Sequence, residues 1–133
     1  MISTPIQIRF SDCDMLQHVN NAIYLQYFET ARINFFRKEL PNWDWKEEGI
    51  ILLKNTIEYK IPLYLTDDCF IEIETTHIGS KSFTLSYRVV VKKDSNVILK
   101  TFGQSTLVCY NFLKKESIIL PKKLKEALLK HLV

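Results

Sequence analysis

Only three of the 133 residues are glycine, at positions 49, 79 and 103. That scarcity excludes a glycine-rich loop cradling phosphates, a flexible Gly/Ser linker and the glycine-flanked elbow that exposes a nucleophilic serine. No run of eighteen or more apolar residues occurs, so no membrane-spanning helix is expected. The opening Met1-Ile2-Ser3-Thr4-Pro5 lacks the basic patch and apolar stretch of a signal peptide. Cysteine is sparse too. Cys13, Cys69 and Cys109 are odd in number and far apart, which argues against a disulfide framework or a zinc knuckle and for free thiols in the cytoplasm. His77 and His131 have no ligand-spaced partners, so no metal and no cofactor are expected.

What remains is an ordinary globular composition, 47% hydrophobic and 25% charged. The length suits one domain, residues 1–133, with a core large enough to need no staples. The formal charge of +3 is unevenly spread. Residues 114–133 hold six lysines against two glutamates, a surplus of four, so the rest of the chain is slightly acidic. That tail reads as a solvated helix face or a surface for phosphates. It lacks the interleaved aromatics of a nucleic-acid reader.

The hydrophobic pattern changes period along the chain. Pro5 to Phe10 alternates like a short strand, and Ser11 to Gln17 is a polar loop. From Asn21 to Leu40 apolar side chains cover most of a helix circumference, which predicts a helix buried on most sides. Asn20 or Asn21 is positioned to cap it, Glu29 and Arg32 to form an ion pair on it, and Pro41 to end it. The period then becomes two. Strands are expected over 51–63, 70–78, 82–92 and 97–110, with a turn at Asp94-Ser95-Asn96 and a bulge at Gly103. Pro121 opens an amphipathic helix whose inner side holds Leu124, Ala127, Leu128 and Leu132. Short turns imply antiparallel pairing, giving an α+β sheet curled around one helix. Its open edge needs a cover, and a second copy would supply one, so a homodimer or homotetramer is expected.

Ionisable and amide side chains concentrate in Ser11-Asp12-Cys13-Asp14-Met15-Leu16-Gln17-His18-Val19-Asn20-Asn21, just before the long helix. A helix N-terminus offers unpaired N–H groups and partial positive charge, able to polarise a carbonyl and hold an oxyanion. A carboxylate upstream could attack that carbonyl or activate water. The same residues also suit a loop of Asx turns with a capping asparagine and no chemistry. Local physics permits both.

The string Asp12-Cys13-Asp14, then His18-Val19-Asn20-Asn21, Tyr24 and Phe28-Glu29-Thr30-Ala31-Arg32 resembles the signature of the 4-hydroxybenzoyl-CoA thioesterase family. These are hotdog-fold acyl-CoA thioesterases. The likeness is sharp over residues 8–36 and looser to the Leu120-Pro121 helix start. It implies a curved antiparallel sheet wrapped around a central helix, with Asp14 as catalytic carboxylate. The Asn21 backbone N–H would polarise the thioester carbonyl, with Asn20 beside it. It also implies a site at a dimer interface, with coenzyme A outside and its phosphates on basic side chains. The His-Val-Asn-Asn string is more similar to fatty-acyl than to aromatic-acyl members.

On this reading the catalytic candidates are Asp14, His18 and Asn21. Asn20, Tyr24, Lys81 and Ser82 are substrate-binding candidates, with Lys81 foremost for a phosphate and Arg88 and Lys100 behind it. Asp12 is expected to fix the loop, and Tyr24 and Phe28 to pack or line an acyl pocket. The substrate would be an acyl-CoA or an acyl carrier protein thioester. Two other functions stay open: a hydratase or dehydratase of 3-hydroxyacyl thioesters using Asp14 and His18, and a non-catalytic acyl-CoA or acyl-carrier binding module.

Overall fold

The structure, a computed structural model, describes residues 1–133. In chain order it contains β1 (Ile2–Ile6), a 3-10 turn (Phe10–Asp12), α1 (Ile23–Glu39), β2 (Gly49–Tyr59), β3 (Cys69–Ile78), β4 (Ser82–Lys93), β5 (Asn96–Asn111), β6 (Glu116–Ser117) and α2 (Lys122–Leu129). The strands form one curved antiparallel sheet in the order β1-β3-β4-β5-β2, with β6 paired to the end of β5. No helix is long and apolar enough to cross a membrane.

Alternation fixes which face of the sheet is buried. Ile71 and Ile73 of β3 point inward with Phe83, Leu85, Tyr87 and Val89 of β4, while Glu72, Glu74 and Arg88 point away. Against this face α1 buries Tyr24, Tyr27, Phe28, Ala31, Arg32, Phe35 and Phe36. Phe28 stacks on Tyr87 with ring centroids 4.3 Å apart and lies over Gly103. A Cβ at Gly103 would sit 2.5 Å from the Phe28 ring, so that glycine lets the helix approach the sheet. α2 closes the far end of the core with Leu124, Ala127 and Leu128, and Pro121 precedes its first turn.

Several boundaries differ from the sequence pattern. The first strand lies at Ile2–Ile6, where Pro5 is tolerated because β1 is an edge strand, and the Arg9–Asp12 segment turns instead of extending. α1 starts at Ile23 and ends at Glu39. β2 stops at Tyr59, because the Lys60 and Ile61 N–H groups both turn to the Lys100 carbonyl. That carbonyl belongs to the bulge in β5: Val89 pairs with Thr101 and Val90 with Leu99, leaving Lys100 as the extra residue. The bulge is therefore at Lys100 and not at Gly103. The turn into β5 is where expected, with Asp94 at φ 57°. Leu132 lies beyond α2 and is largely exposed, its backbone bridged to Thr75.

The Glu29–Arg32 pair does not form. Arg32 turns into the core, only 8% exposed, and donates to the Tyr87 hydroxyl at 3.2 Å and the Ser105 hydroxyl at 3.4 Å. Glu29 stays exposed at the surface.

Candidate active site

The loop between β1 and α1 is built around Asp12. Its carboxylate is 2% exposed, accepts the Arg9 N–H at 3.0 Å and the Tyr27 hydroxyl at 2.5 Å, and lies 3.3 Å from the Arg9 guanidinium. Burial pushes the Asp12 carboxyl up, but the Tyr27 and Arg9 hydrogen bonds and the Arg9 charge outweigh it and hold it below its ordinary value. Burial and the same partnership push the Tyr27 phenol well up. The Asp12 carbonyl accepts the Asn20 N–H at 2.8 Å, so this buried residue fixes both ends of the loop.

Between those ends the chain makes a tight hairpin. Cys13 bridges Val19, the Asp14 N–H donates to the His18 carbonyl at 2.9 Å, and Gln17 takes a positive φ of 64°. Asp14 is carried on the outside of this turn. Its Oδ1 accepts the Leu16 N–H at 2.9 Å, and Oδ2 has no protein partner. The exposed carboxylate lines a groove of about 560 Å³ with Phe10, Met15, Tyr64 and Leu65 among its walls. Met15 is 99% exposed there, an unusual state for an apolar side chain.

The start of α1 lies across a thin wall. His18 bridges Tyr64, and their rings meet edge to face at 4.9 Å. Tyr64 faces the Asp14 groove, and His18 faces a smaller cleft of about 130 Å³ shared with Asn21, Tyr24, Tyr59 and Lys60. Within one chain, then, Asp14 and Asn21 open onto neighbouring clefts. Asn20 does not cap α1 by position, since Ala22 precedes its first residue. Its side chain instead accepts the Ala22 N–H at 3.0 Å and its carbonyl accepts the Ile23 N–H at 2.9 Å. The Asn21 N–H takes no carbonyl of the chain. Tyr24 is buried against Leu63, and burial pushes its phenol up.

Other predicted site residues lie elsewhere. Lys81 is exposed and Ser82 half-buried at the start of β4, with Ser82 seven residues from Val89, which pairs across β5 toward Tyr59. That is roughly 20 Å along the sheet from the level of Tyr59, at ~3.3 Å per residue. Lys100 is no phosphate ligand: it is buried, donating to the Pro62 carbonyl at 3.0 Å and facing Asp67 at 3.7 Å, and so braces the loop that carries Tyr64. Arg88 is tied to Glu72 at 3.5 Å. No three His, Cys, Asp or Glu side chains converge as a metal site requires.

The sequence pattern overlooks Tyr59 and Tyr64. Tyr59 reads as one more inward residue of an alternating strand, yet its hydroxyl donates to the Asn21 carbonyl at 2.8 Å. Tyr64 follows Pro62-Leu63 in a stretch with no repeating pattern, so only the His18 bridge reveals its place.

A family model for the thioesterase-like superfamily matches residues 8–128. The chain belongs to the thioesterase-like superfamily. The match does not single out the 4-hydroxybenzoyl-CoA branch within it. Among relatives of this thioesterase-like chain, the long-chain acyl-CoA thioesterase FadM of Escherichia coli (strain K12) is 26% identical over 130 residues, 96% of each chain. The uncharacterized protein YsmA of Bacillus subtilis (strain 168) is 30% identical over 82 residues, 62% of this chain and 56% of that one. The chain thus spans little more than half of YsmA. A thioesterase from Thermus thermophilus, solved in complex with coenzyme A and Zn, superposes with a TM-score of 0.80 at 28% identity, covering 95% of both chains. The curved sheet around α1 is therefore the hotdog fold of thioesterases.

Proposed function

We propose that this protein hydrolyses acyl-CoA thioesters at the Asp14 loop, with Asp14 as the catalytic carboxylate and the Asn21 N–H as the donor to the carbonyl oxygen. Acyl-CoA thioester hydrolysis in general rests on family membership and on relatives with that activity in their names. The observation that carries the residue assignment is an exposed carboxylate with an unpartnered Oδ2, one hairpin away from a helix start with an unpartnered N–H.

In the reaction, the acyl carbonyl lies at the N-terminus of α1, where the dipole and the Asn21 N–H draw electrons to oxygen. Asp14 takes a proton from water as hydroxide adds to carbon, or adds itself and leaves an anhydride for water to open. The carbon–sulfur bond breaks and the thiolate departs. A thiol ionises near pKa ~8.5, so it leaves with little acid assistance. His18 walls the cleft beside the carbonyl, and Tyr24 and Asn20 shape it.

A second copy completes the site in this reading. The Asp14 groove is open and rimmed with exposed Phe10, Met15 and Leu65. Lys81 and Ser82 lie at the far end of β4 from the residues level with Tyr59, and in this reading they meet coenzyme A from a partner subunit. The apolar groove wall and the kinship with FadM favour a fatty acyl group, on coenzyme A or on an acyl carrier protein. Three unbridged cysteines suit the cytoplasm.

Asp14→Asn tests the assignment. Because Asp14 is exposed, the variant is expected to keep its melting temperature and to lose at least about a hundredfold in kcat on a fatty acyl-CoA. Undiminished hydrolysis by that variant removes Asp14 from the mechanism. Tight acyl-CoA binding by the unmodified protein without release of thiol would favour the binding-module reading instead.

A further inference from the structure

The helix start is held in an unusual way. No side chain caps α1 in the ordinary sense. Instead the peptide unit joining Asn21 to Ala22 is gripped at both ends by side chains. Its N–H donates to Asn20 Oδ1 at 3.0 Å, and its carbonyl accepts from the Tyr59 hydroxyl at 2.8 Å. The preceding peptide unit, which carries the Asn21 N–H, is fixed through its carbonyl by the Ile23 N–H at 2.9 Å. Asn20 itself is tied back to the Asp12 carbonyl. With these two peptide units immobilised, the direction of the Asn21 N–H is set.

Tyr59 is well placed for this duty. It is the last residue of β2, and its ring packs edge to face on Tyr24 with centroids 5.1 Å apart. The ring is therefore held by the core side, while the hydroxyl reaches the helix start from the open edge of the sheet. Nothing about core packing requires that hydroxyl, since Tyr59 remains nearly half exposed. A donor on the Asn21 carbonyl stops the Asn21–Ala22 unit from rotating about the Asn21 Cα, so that the Asn21 backbone is anchored on one side while the Asn20 carbonyl–Ile23 N–H bond holds the unit carrying the Asn21 N–H on the other.

We propose that Tyr59 is a positioning residue for thioester hydrolysis, acting with Asn20 as a two-sided clamp on the Asn21–Ala22 peptide that aims the Asn21 N–H at the developing oxyanion. The inference rests on the assignment of the Asn21 N–H as that donor. A preorganised donor stabilises the transition state more than the bound thioester, because charge accumulates on the oxygen only as attack proceeds. Loss of the clamp therefore lowers kcat and leaves KM nearly alone.

The test compares Tyr59→Phe, Asn20→Ala and the double variant with the unmodified protein, using a fatty acyl-CoA and a thiol reagent. Tyr59→Phe keeps the ring on Tyr24, so its melting temperature is expected to hold. Its kcat is expected to fall about tenfold, the rate equivalent of one neutral hydrogen bond, with KM changed less than about twofold. Asn20→Ala is expected to act in the same direction. The double variant should lose less than the product of the two single losses, because both side chains hold one peptide unit. An unchanged kcat for Tyr59→Phe overturns the proposal, and so does a rise in KM at constant kcat, which would make Tyr59 a substrate contact. Asp14→Asn, run alongside, separates the two levels. If Asp14→Asn is inert and Tyr59→Phe is normal, only the clamp fails. If Asp14→Asn is fully active, the site itself is misplaced.

Discussion

Asp12 and Asp14 stand two residues apart and meet opposite environments. Asp12 is enclosed, charged and saturated with donors; Asp14 is exposed, with one oxygen free. Proximity in sequence says nothing of this difference, because it depends on Tyr27, fifteen residues further on and on the inner side of α1. Tyr27→Phe removes the donor that most strongly favours the Asp12 anion and leaves a buried carboxylate short of a partner. The expected cost is about 1–3 kcal/mol of stability at neutral pH. The direction with pH follows from the depressed Asp12 pKa. A carboxyl whose native pKa is lower than its unfolded one stabilises the fold above the unfolded value, near 3.8, and that contribution disappears as pH falls through the native value. Urea titrations of both proteins at neutral pH and at a pH below the unfolded value check it. The gap between them should narrow in acid, and a gap that widens there would mean Asp12 is not the group responsible.

At the scale of elements, periodicity carries most of the fold. The inward rows Ile71/Ile73 and Phe83/Leu85/Tyr87/Val89 are legible because a half-buried strand must alternate. The buried helix is legible because apolar residues ring it. Boundaries and irregularities are not, since they depend on long-range partners. β2 ends at Tyr59 because the Lys100 bulge offers a carbonyl, and β1 lies upstream because its partner register with β3 starts at Ile2–Ile73. The site is legible only in part: a local string displays Asp14, Asn20 and Asn21, whereas Tyr59, Tyr64 and Tyr27 reach the loop through the fold. Gly103 illustrates the same point. In sequence it resembles a bulge; in the sheet it is the seat of Phe28. Gly103→Ala is expected to cost at least about 2 kcal/mol in urea unfolding, by forcing the Phe28 ring off Tyr87. Phe28→Leu should relieve part of that cost in the double variant. Full additivity would place the strain elsewhere.

At the scale of the whole molecule, the two sheet edges are unequal. β1 is five residues long and contains Pro5, which blunts it as a pairing edge. β2 is eleven residues long, has no proline and leaves one side unpaired, with Leu53 62% exposed at its own bulge. Tyr59, the clamp on the helix start, ends this same strand, and the apolar rim of the Asp14 groove is open as well. A second copy laid along β2 would cover all three at once, pair the free backbone groups and bring far-end residues such as Lys81 toward the partner's site. A twofold axis near the strand centre places each Leu53 close to the partner's β2, where a carboxylate would be desolvated and face its own symmetry mate. Leu53→Glu is therefore expected to yield monomers at micromolar concentration by sedimentation velocity, where the unmodified protein is expected to sediment as a dimer or larger. Its kcat/KM should fall at least about tenfold, the rate equivalent of one lost hydrogen bond's worth of alignment, although Asp14, Asn21 and Tyr59 are untouched. Because Leu53 is exposed in the single chain, circular dichroism should show the fold retained. A monomeric unmodified protein with full turnover would show that one chain holds the whole site, and the β2 edge would then need another explanation.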